Sequence, residues 1–475
     1  LSGCGTKGGS STTTPVTPAL TNPQPVPGGP LVQGALQIST TSGGLIPAGF
    51  MGLSYEKFTL ADPYFNASNA DLIALFQRLG TGAAGVSGPV LRLGGGTVDQ
   101  CLWTPDGNGT TYLQITPSNV TDLAAFLKLT GWQCLYGVNL ATSTPALAAA
   151  EVANVVTTLG SSLLGIEIGN ATDQYGATGS YFPGNWTFQD FLTRWQSFQS
   201  AILAETPHAL LTGPSCSATS VSNWTLPFGQ AIPSGQVSLL TEQYFRANGL
   251  DAVATAEYLV SPDTVLNSYL ATMNTGAQTL GIPYRIAGCN SFYSGGAPGI
   301  SNSYASSLWV LDFLFSAAQG GATGVNMHGG GKIYYTPIAD SGGVVSAASP
   351  EYYGLLLFSM AGAGTLMQTQ FSAGSLNATA YAIKSASGGM SLILVNKDST
   401  QNLSIAVTTS QSVQSATLLA MTAPSLAATS GVTIQGATVN PAGTFAPSSA
   451  YTLAYSGTQT SCYVPALSAV LIQLT

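Results

Sequence analysis

Between residues 50 and 327 the chain repeats one alternation eight times. Apolar runs at 50–55, 90–93, 132–140, 163–168, 209–213, 237–245, 284–287 and 324–327 read as strands. Helical patterns separate them, among them "DLIALFQRLG", "TDLAAFLKLTG", "TPALAAAEVANVVTTLG", "FQDFLTRWQSFQSAILAE" and "SNSYASSLWVLDFLFSAAQGG". Several open near a Ser, Thr or Asp able to cap free N–H groups, and several close near Gly. A helix after every strand returns the chain for a parallel pairing. Eight such units predict a (β/α)8 TIM barrel, an α/β fold. A doubly wound open sheet is the competitor, but no GxGxxG follows the first strand to support it.

The flanks read differently. From about residue 365, short alternating segments such as "TAYAIKSA", "MSLILVNKD", "LSIAVTT", "SATLLAMT" and "SAVLIQLT" are separated by Gly, Asn, Asp and Ser. They predict a C-terminal antiparallel β-sandwich. The segment "LVQGALQIST" is strand-like, precedes the barrel, and can return to join that sandwich. The expected division is a tether over 1–30, an N-terminal strand over 31–48, the barrel over 49–364 and the sandwich over 365–475. Residues 1–30 are low-complexity Gly, Ser, Thr and Pro, which cannot bury a core. The opening "LSGC" resembles the end of a bacterial lipoprotein signal, which implies lipidation at Cys4. The expectation is an extracellular domain at a bacterial cell surface, meeting the membrane only through a lipid anchor. No run of about 18 apolar residues marks a membrane-spanning helix.

Charge narrows the function classes. Only 6% of the 475 residues are charged, 11 basic against 19 acidic, for a net charge of -8. Such a chain cannot neutralise a run of phosphates, so nucleic acid is not an expected partner. Six cysteines include no close CxxC pair, and there are two histidines, His208 and His328. A zinc knot or multi-His centre is not expected, and neither a metal nor an organic cofactor is implied. One or two disulfides are compatible with export, with no pairing legible.

Chemistry in such a barrel sits where the strands end at the C-terminal face. With 19 carboxylates the candidates there are few. Glu56 ends the first strand, Asp99 follows the second, Glu167 lies in the fourth with Asp173 beyond it, and Glu242 lies in the sixth. The seventh, "YRIAGCNSFYSGG", carries none.

The strand-end motifs "LRLGGGTVDQCLW", "LLGIEIGNATDQY", "LTEQYFR", "YRIAGCNSFYSGGAPG" and "GVNMHGGG" occur in order. Together they resemble glycoside hydrolase family 79, which contains β-glucuronidases and heparanases. The resemblance spans roughly residues 31–475 and implies the same barrel and sandwich. It also implies a retaining mechanism, which uses an acid/base carboxyl and a nucleophilic carboxylate about 5 Å apart. The acid/base position corresponds to Ala171 and the nucleophile position to Gly288. Thr172 replaces the family's Pro, and Gln243 stands where a His is usual. A methyl group and a hydrogen supply neither a proton nor a glycosyl ester.

Two other acids are candidate substitutes: Asp173, two positions beyond Ala171, and Glu242, on the sixth strand beside the site, while Glu167 fits a buried pair with Arg92. The sugar contacts implied by the resemblance are Asp99, Asn170, Tyr244, Tyr293, the amide of Gly295, and Tyr335. His328 reads equally as a ligand contact or a structural histidine. Trp103 reads equally as a stacking face or a core residue. The leading expectation is a catalytically degenerate glycosidase relative that keeps a cleft for a glycan, such as one containing glucuronic acid. Two alternatives stay open: an active retaining glycosidase with relocated carboxylates, and a structural or adhesive surface protein with a vestigial cleft.

Overall fold

A computed structural model of the chain describes residues 20–82, 88–107 and 111–475. Cys4 and the first nineteen residues of the expected tether lie outside the described residues. Eight strands form a closed barrel: Gly52–Glu56, Val90–Gly94, Gln133–Val138, Leu163–Ile168, Leu211–Ser217, Leu239–Asn248, Tyr284–Tyr293 and Val325–Gly329. They are called the first to eighth barrel strands below. Every neighbouring pair is parallel, and the eighth closes on the first through Met327–Leu53, His328–Ser54 and Gly329–Tyr55.

Local chemistry sets the outer helices. Pro117–Thr130 begins at a capping box between Thr116 and Asn119 and ends at Gly131, which is left-handed at φ 72°. Phe188–Glu205 begins at a second box, Thr187 with Asp190, and Thr264–Leu280 is capped by Asp263. At the barrel floor the guanidinium of Arg285 donates to the carbonyls of Gly49, Phe50 and Val325 and to Asn326 Oδ1. Burial lowers its pKa to about 9. A Cβ at Gly324 would lie 1.9 Å from Arg285 Nη1, so glycine there makes room for the plug.

The C-terminal region is one eleven-stranded sheet, curled so that its inner faces meet. Period-two alternation assigns each residue a side. In the strand Met390–Asn396, Leu392 and Leu394 enter the core between the inner faces, while Ile393 and Val395 join the barrel's core. The outward face packs on the helices Tyr304–Gln319 and Pro350–Ala361, with Phe315 stacked on Tyr381 at 4.2 Å. Asp312 on the first of these helices accepts from Thr379, Tyr381 and Lys397 of the sheet.

The long strand Leu31–Ile46 lies inside this sheet. It runs antiparallel to Gly364–Ser372 and parallel to Asn402–Thr408, and upstream of it Pro23 makes a further parallel bridge to Thr452. Contacts begin further upstream, where Asn22 and Gln24 already hydrogen-bond to Thr452, Ser449 and Tyr463. Two strands, Gly364–Ser372 and Gln459–Val464, had no counterpart among the segments read from sequence. The first follows a helix after only two residues, and the second, "QTSCYV", has too few apolar positions to alternate visibly.

Candidate active site

The barrel mouth holds a polar cup built by five strand ends. Arg92, at the centre of the second strand, is 1% exposed. Its Nε donates to Glu167 Oε2 at 2.8 Å, and its Nη2 contacts the same oxygen. Nη2 also donates to Asn170 Oδ1 at 2.8 Å and Ser215 Oγ at 3.0 Å. Gln243, on the sixth strand, donates its side-chain amide to Asn170 Oδ1 at 2.9 Å and to the Ser215 carbonyl at 3.0 Å. Gln243 pairs in register with Gly288 of the seventh strand. A Cβ added to Gly288 would enter this cup, 3.5 Å from Arg92 Nη1 and 3.5 Å from Gln243 Cγ.

Ala171 follows Asn170 on the same rim. It has a left-handed backbone, φ 48° and ψ 47°, and donates its N–H to the Ser215 carbonyl at 2.9 Å. A non-glycine residue in this region is uncommon and strained, so the turn is held by its neighbours. Ala171 and Gly288 thus flank one cup, from the fourth and seventh strand ends.

A second cluster stands across the mouth. Glu56 Oε1 lies 3.3 Å from His328 Nε2, and His328 Nδ1 lies 3.0 Å from Ser54 Oγ. Glu56 also accepts from Gly96 N, Thr97 N and Thr97 Oγ1. Burial pushes its pKa up, but the His328 hydrogen bond and charge, with the Thr97 donors, outweigh it and bring it down to about 2. Its side chain keeps 26% exposure, so Glu56 presents an ionised carboxylate at the mouth. The Tyr335 ring sits between His328 and Phe245, with centroids 6.0 and 5.9 Å away.

Several expected contacts point elsewhere. Along the sixth strand, Gln243 and Phe245 face the mouth, so Glu242, Tyr244 and Arg246 face the helices. Glu242 takes a hydrogen bond from Thr225 in the outer turn Val221–Thr225. Tyr244 stacks on Tyr269 and Phe313 of two outer helices and donates to Asp263. Neither Glu242 as a substitute acid nor Tyr244 as a sugar contact fits this geometry, because strand alternation turns both away. Asp99 is 1% exposed: Oδ1 accepts from Leu140 N and Ala141 N, and Oδ2 from Asn170 N and Tyr175 Oη. It ties the second, third and fourth strand ends together, with both oxygens already engaged. Trp103 is 6% exposed within the core, so no face is free for stacking.

Asp173 bends back to the fifth strand end, where it accepts from Ser217 N at 3.3 Å and Ser220 Oγ at 2.7 Å. Glu167 is fully buried against Arg92, as a structural pair requires. Tyr293 is 48% exposed, and the Gly295 carbonyl accepts from Tyr334 N. These last two place the loop after the seventh strand beside that carrying Tyr335. Ser215 carries no signal in the sequence, because Pro214 reads as the end of a strand expected over 209–213, whereas the strand continues to Ser217. Five cysteines, Cys101, Cys134, Cys216, Cys289 and Cys462, are free and buried, so no disulfide joins them. Among the described residues no group of His, Cys, Asp and Glu is arranged to hold a metal ion.

The outward Glu242 gives a first prediction. Burial, then the nearby Asp173 charge, raise its pKa well above the carboxylate range, so the folded protein holds it protonated. A raised carboxyl pKa costs stability as pH rises above the unfolded value and costs nothing below it. Glu242→Gln is therefore expected to raise Tm at pH 7.5 and to change it little at pH 4. Loss of stability at pH 7.5 would show that the charged form is needed.

No family model matches the chain. A β-glucuronidase of Aspergillus niger is 26% identical over 348 residues, covering 64% of this chain and 63% of that protein. The match thus spans under two thirds of that relative's length. Among solved structures, a 4-O-α-L-rhamnosyl-β-D-glucuronidase from Fusarium oxysporum 12S superposes with a TM-score of 0.77 at 20% identity. That superposition covers 93% of this chain and all of that one. A family 51 arabinofuranosidase from Xanthomonas axonopodis pv. citri gives 0.65 at 16% identity, over 94% and 100%. The chain is homologous to β-glucuronidases, and the solved structures share its barrel-and-sheet fold.

Proposed function

We propose that this homologue of β-glucuronidases is a glycan-binding protein whose barrel mouth receives a glucuronic-acid-containing glycan without hydrolysing it. The observation that carries this reading is the pairing of Ala171 and Gly288 on one cup. A retaining glycosidase needs a carboxyl from each of two sides of the anomeric centre, about 5–5.5 Å apart. Here each flank offers carbon or hydrogen. The candidate substitutes support the same reading. Glu242 faces the helices, Glu167 is held by Arg92, and Asp173 is held by Ser217 and Ser220.

The remaining groups suit sugar recognition. The ionised Glu56 can accept sugar hydroxyls, with His328 behind it. Tyr293, Tyr335 and the amides of the loop at Gly295 can receive a uronate carboxylate without a further cation. Surface display through a lipid on Cys4 belongs to the same proposal. Cys4→Ser is expected to move the protein from the membrane to the soluble fraction.

The direct test is titration with a glucuronide oligosaccharide alongside an aryl β-glucuronide turnover assay. Binding is expected without release of the aryl alcohol, and Glu56→Gln is expected to weaken binding about tenfold or more. Ready turnover by the unaltered protein would overturn the proposal, as would the absence of binding across a panel of uronic-acid glycans.

A further inference from the structure

The sixth strand turns Arg246 outward, to a cleft of about 500 Å³ where the barrel's outer helices meet the C-terminal sheet. The helix wall is one face of Tyr304–Gln319, carrying Trp309, Asp312, Phe313 and Ser316 three and four residues apart. The sheet wall is drawn from residues 375–381 and Lys397. Asn377 spans the junction, its Nδ2 donating to the Val260 carbonyl at 3.0 Å. The volume lies within the range of small-molecule sites, about 300–1,000 Å³. A junction that served only to join the two parts would pack closed.

The charges on these walls are balanced before any ligand enters. Arg246 spends both terminal nitrogens on Ser261 Oγ and on the carbonyls of Leu259, Ser261 and Pro262, and Asp263 Oδ2 lies 3.8 Å from its Nε. Lys397, its side chain 2% exposed, pairs with Asp312. Two cations thus meet two carboxylates, and a free ion gains no net attraction here. What is left over is hydrogen-bonding capacity. Lys397 Nζ has three N–H groups and donates two of them, to Asp312 Oδ2 and Thr379 Oγ1. Asp312 Oδ1 accepts from Thr379 and Tyr381, while Oδ2 accepts from Lys397 alone. The Asp312 side chain keeps 24% exposure, so one donor and one acceptor stand side by side at the cleft.

A hydroxyl accepts and donates at one oxygen, so it meets both groups without disturbing the ion pair. A carboxylate in the same place would face Asp312, and an ammonium would face Lys397. Leu259, Leu266 and Leu376 add apolar surface to the same cleft. The combination matches a ligand with hydroxyls at its edge and C–H groups on its faces. We infer that this cleft binds a neutral saccharide of one or two residues, held by its hydroxyls between Lys397 and Asp312. The site lies outside the barrel wall, because alternation along the sixth strand sets Arg246 opposite to Gln243 and Phe245. It does not rest on the function proposed for the mouth. Its walls belong to the barrel and the sheet, so an occupying sugar also ties the two together.

The test is calorimetric titration of the whole protein with cellobiose, xylobiose and galactobiose, with glycerol as the small-polyol control. At least one disaccharide is expected to bind saturably, about tenfold or more tighter than glycerol. Its affinity is expected to change less than about twofold between low and high salt, since no net charge is neutralised. Ser316→Trp fills the cleft from the helix without touching an ion pair and is expected to weaken binding about tenfold or more. Asp312→Asn removes the acceptor charge and is expected to weaken it similarly. Ser316→Trp carries the test where loss of the Lys397 partner impairs folding. Glu56→Gln, at the mouth, is expected to leave this titration unchanged. Silence across the three disaccharides would overturn the site, as would glycerol binding as tightly. Displacement of the bound disaccharide by glucuronate would overturn its neutral specificity. Binding that survives Ser316→Trp and falls in Glu56→Gln would place the sugar at the mouth and overturn the cleft.

Discussion

Ala171→Glu combined with Gly288→Glu is expected to raise aryl β-glucuronide hydrolysis from the background level proposed for the parent to a measurable rate. The backbone already offers both positions. At Gly288 the nearest atoms to a new Cβ are at ordinary contact distance, and one is the Arg92 nitrogen able to hold the new carboxylate. At Ala171 the left-handed strain is already borne by an L-residue, so a longer side chain adds little backbone cost. The two single variants should differ in kind. Gly288→Glu alone provides a nucleophile and should give a burst with a nitrophenyl leaving group, which needs little protonation, and then stall. Ala171→Glu alone should stay at background. General acid–base catalysis contributes about 10²–10⁴-fold, so the double variant should exceed Gly288→Glu by that range on poorer leaving groups. A folded, glycan-binding double variant that stays at background would mean that the cup holds the sugar with its anomeric carbon out of reach.

The second large effect is on stability. Glu167→Ala removes the counterion of a guanidinium that is 1% exposed and leaves Arg92 charged in the barrel's interior. Breaking one partner of a buried pair costs about 3–5 kcal/mol, much of it the desolvation of the group left behind. Denaturant unfolding should show that loss. Replacing both residues, Arg92→Met with Glu167→Leu, should recover most of it, since a packed apolar pair is often no worse. Glycan binding should fail in the double variant, where Asn170 and Ser215 lose the Arg92 donor that positions them. Full stability of Glu167→Ala would instead mean that solvent reaches Arg92 or that another acid replaces the partner.

The alternation of apolar runs made the barrel legible because strand starts are buried on both faces and read as continuous hydrophobic stretches. The strand ends were harder. The sixth and seventh strands run on to Asn248 and Tyr293, past the expected 245 and 287. Polar residues there, such as Asn290 and Ser291, are buried by hydrogen bonds rather than by hydrophobicity. Side-chain direction was also hidden. Once Gln243 is known to face inward, alternation turns Glu242 and Tyr244 outward, but the sequence contains no marker of which parity is inward. Asp99 illustrates a different limit, because an acid in a loop looks free until the amides of Leu140, Ala141 and Asn170 converge on it.

The strand Leu31–Ile46 has a mechanical consequence. Anything that pulls on the chain upstream of residue 20 meets the folded body at the sheet, before the barrel. Along this strand, seven register positions from Leu31 to Gln37 are zipped in parallel to Asn402–Thr408, and further pairs bind Gly364–Ser372. Tension along the strand axis therefore loads many hydrogen bonds together in shear, instead of peeling them one at a time. The barrel mouth lies downstream of that clamp, so its geometry is insulated from drag on the N-terminal segment.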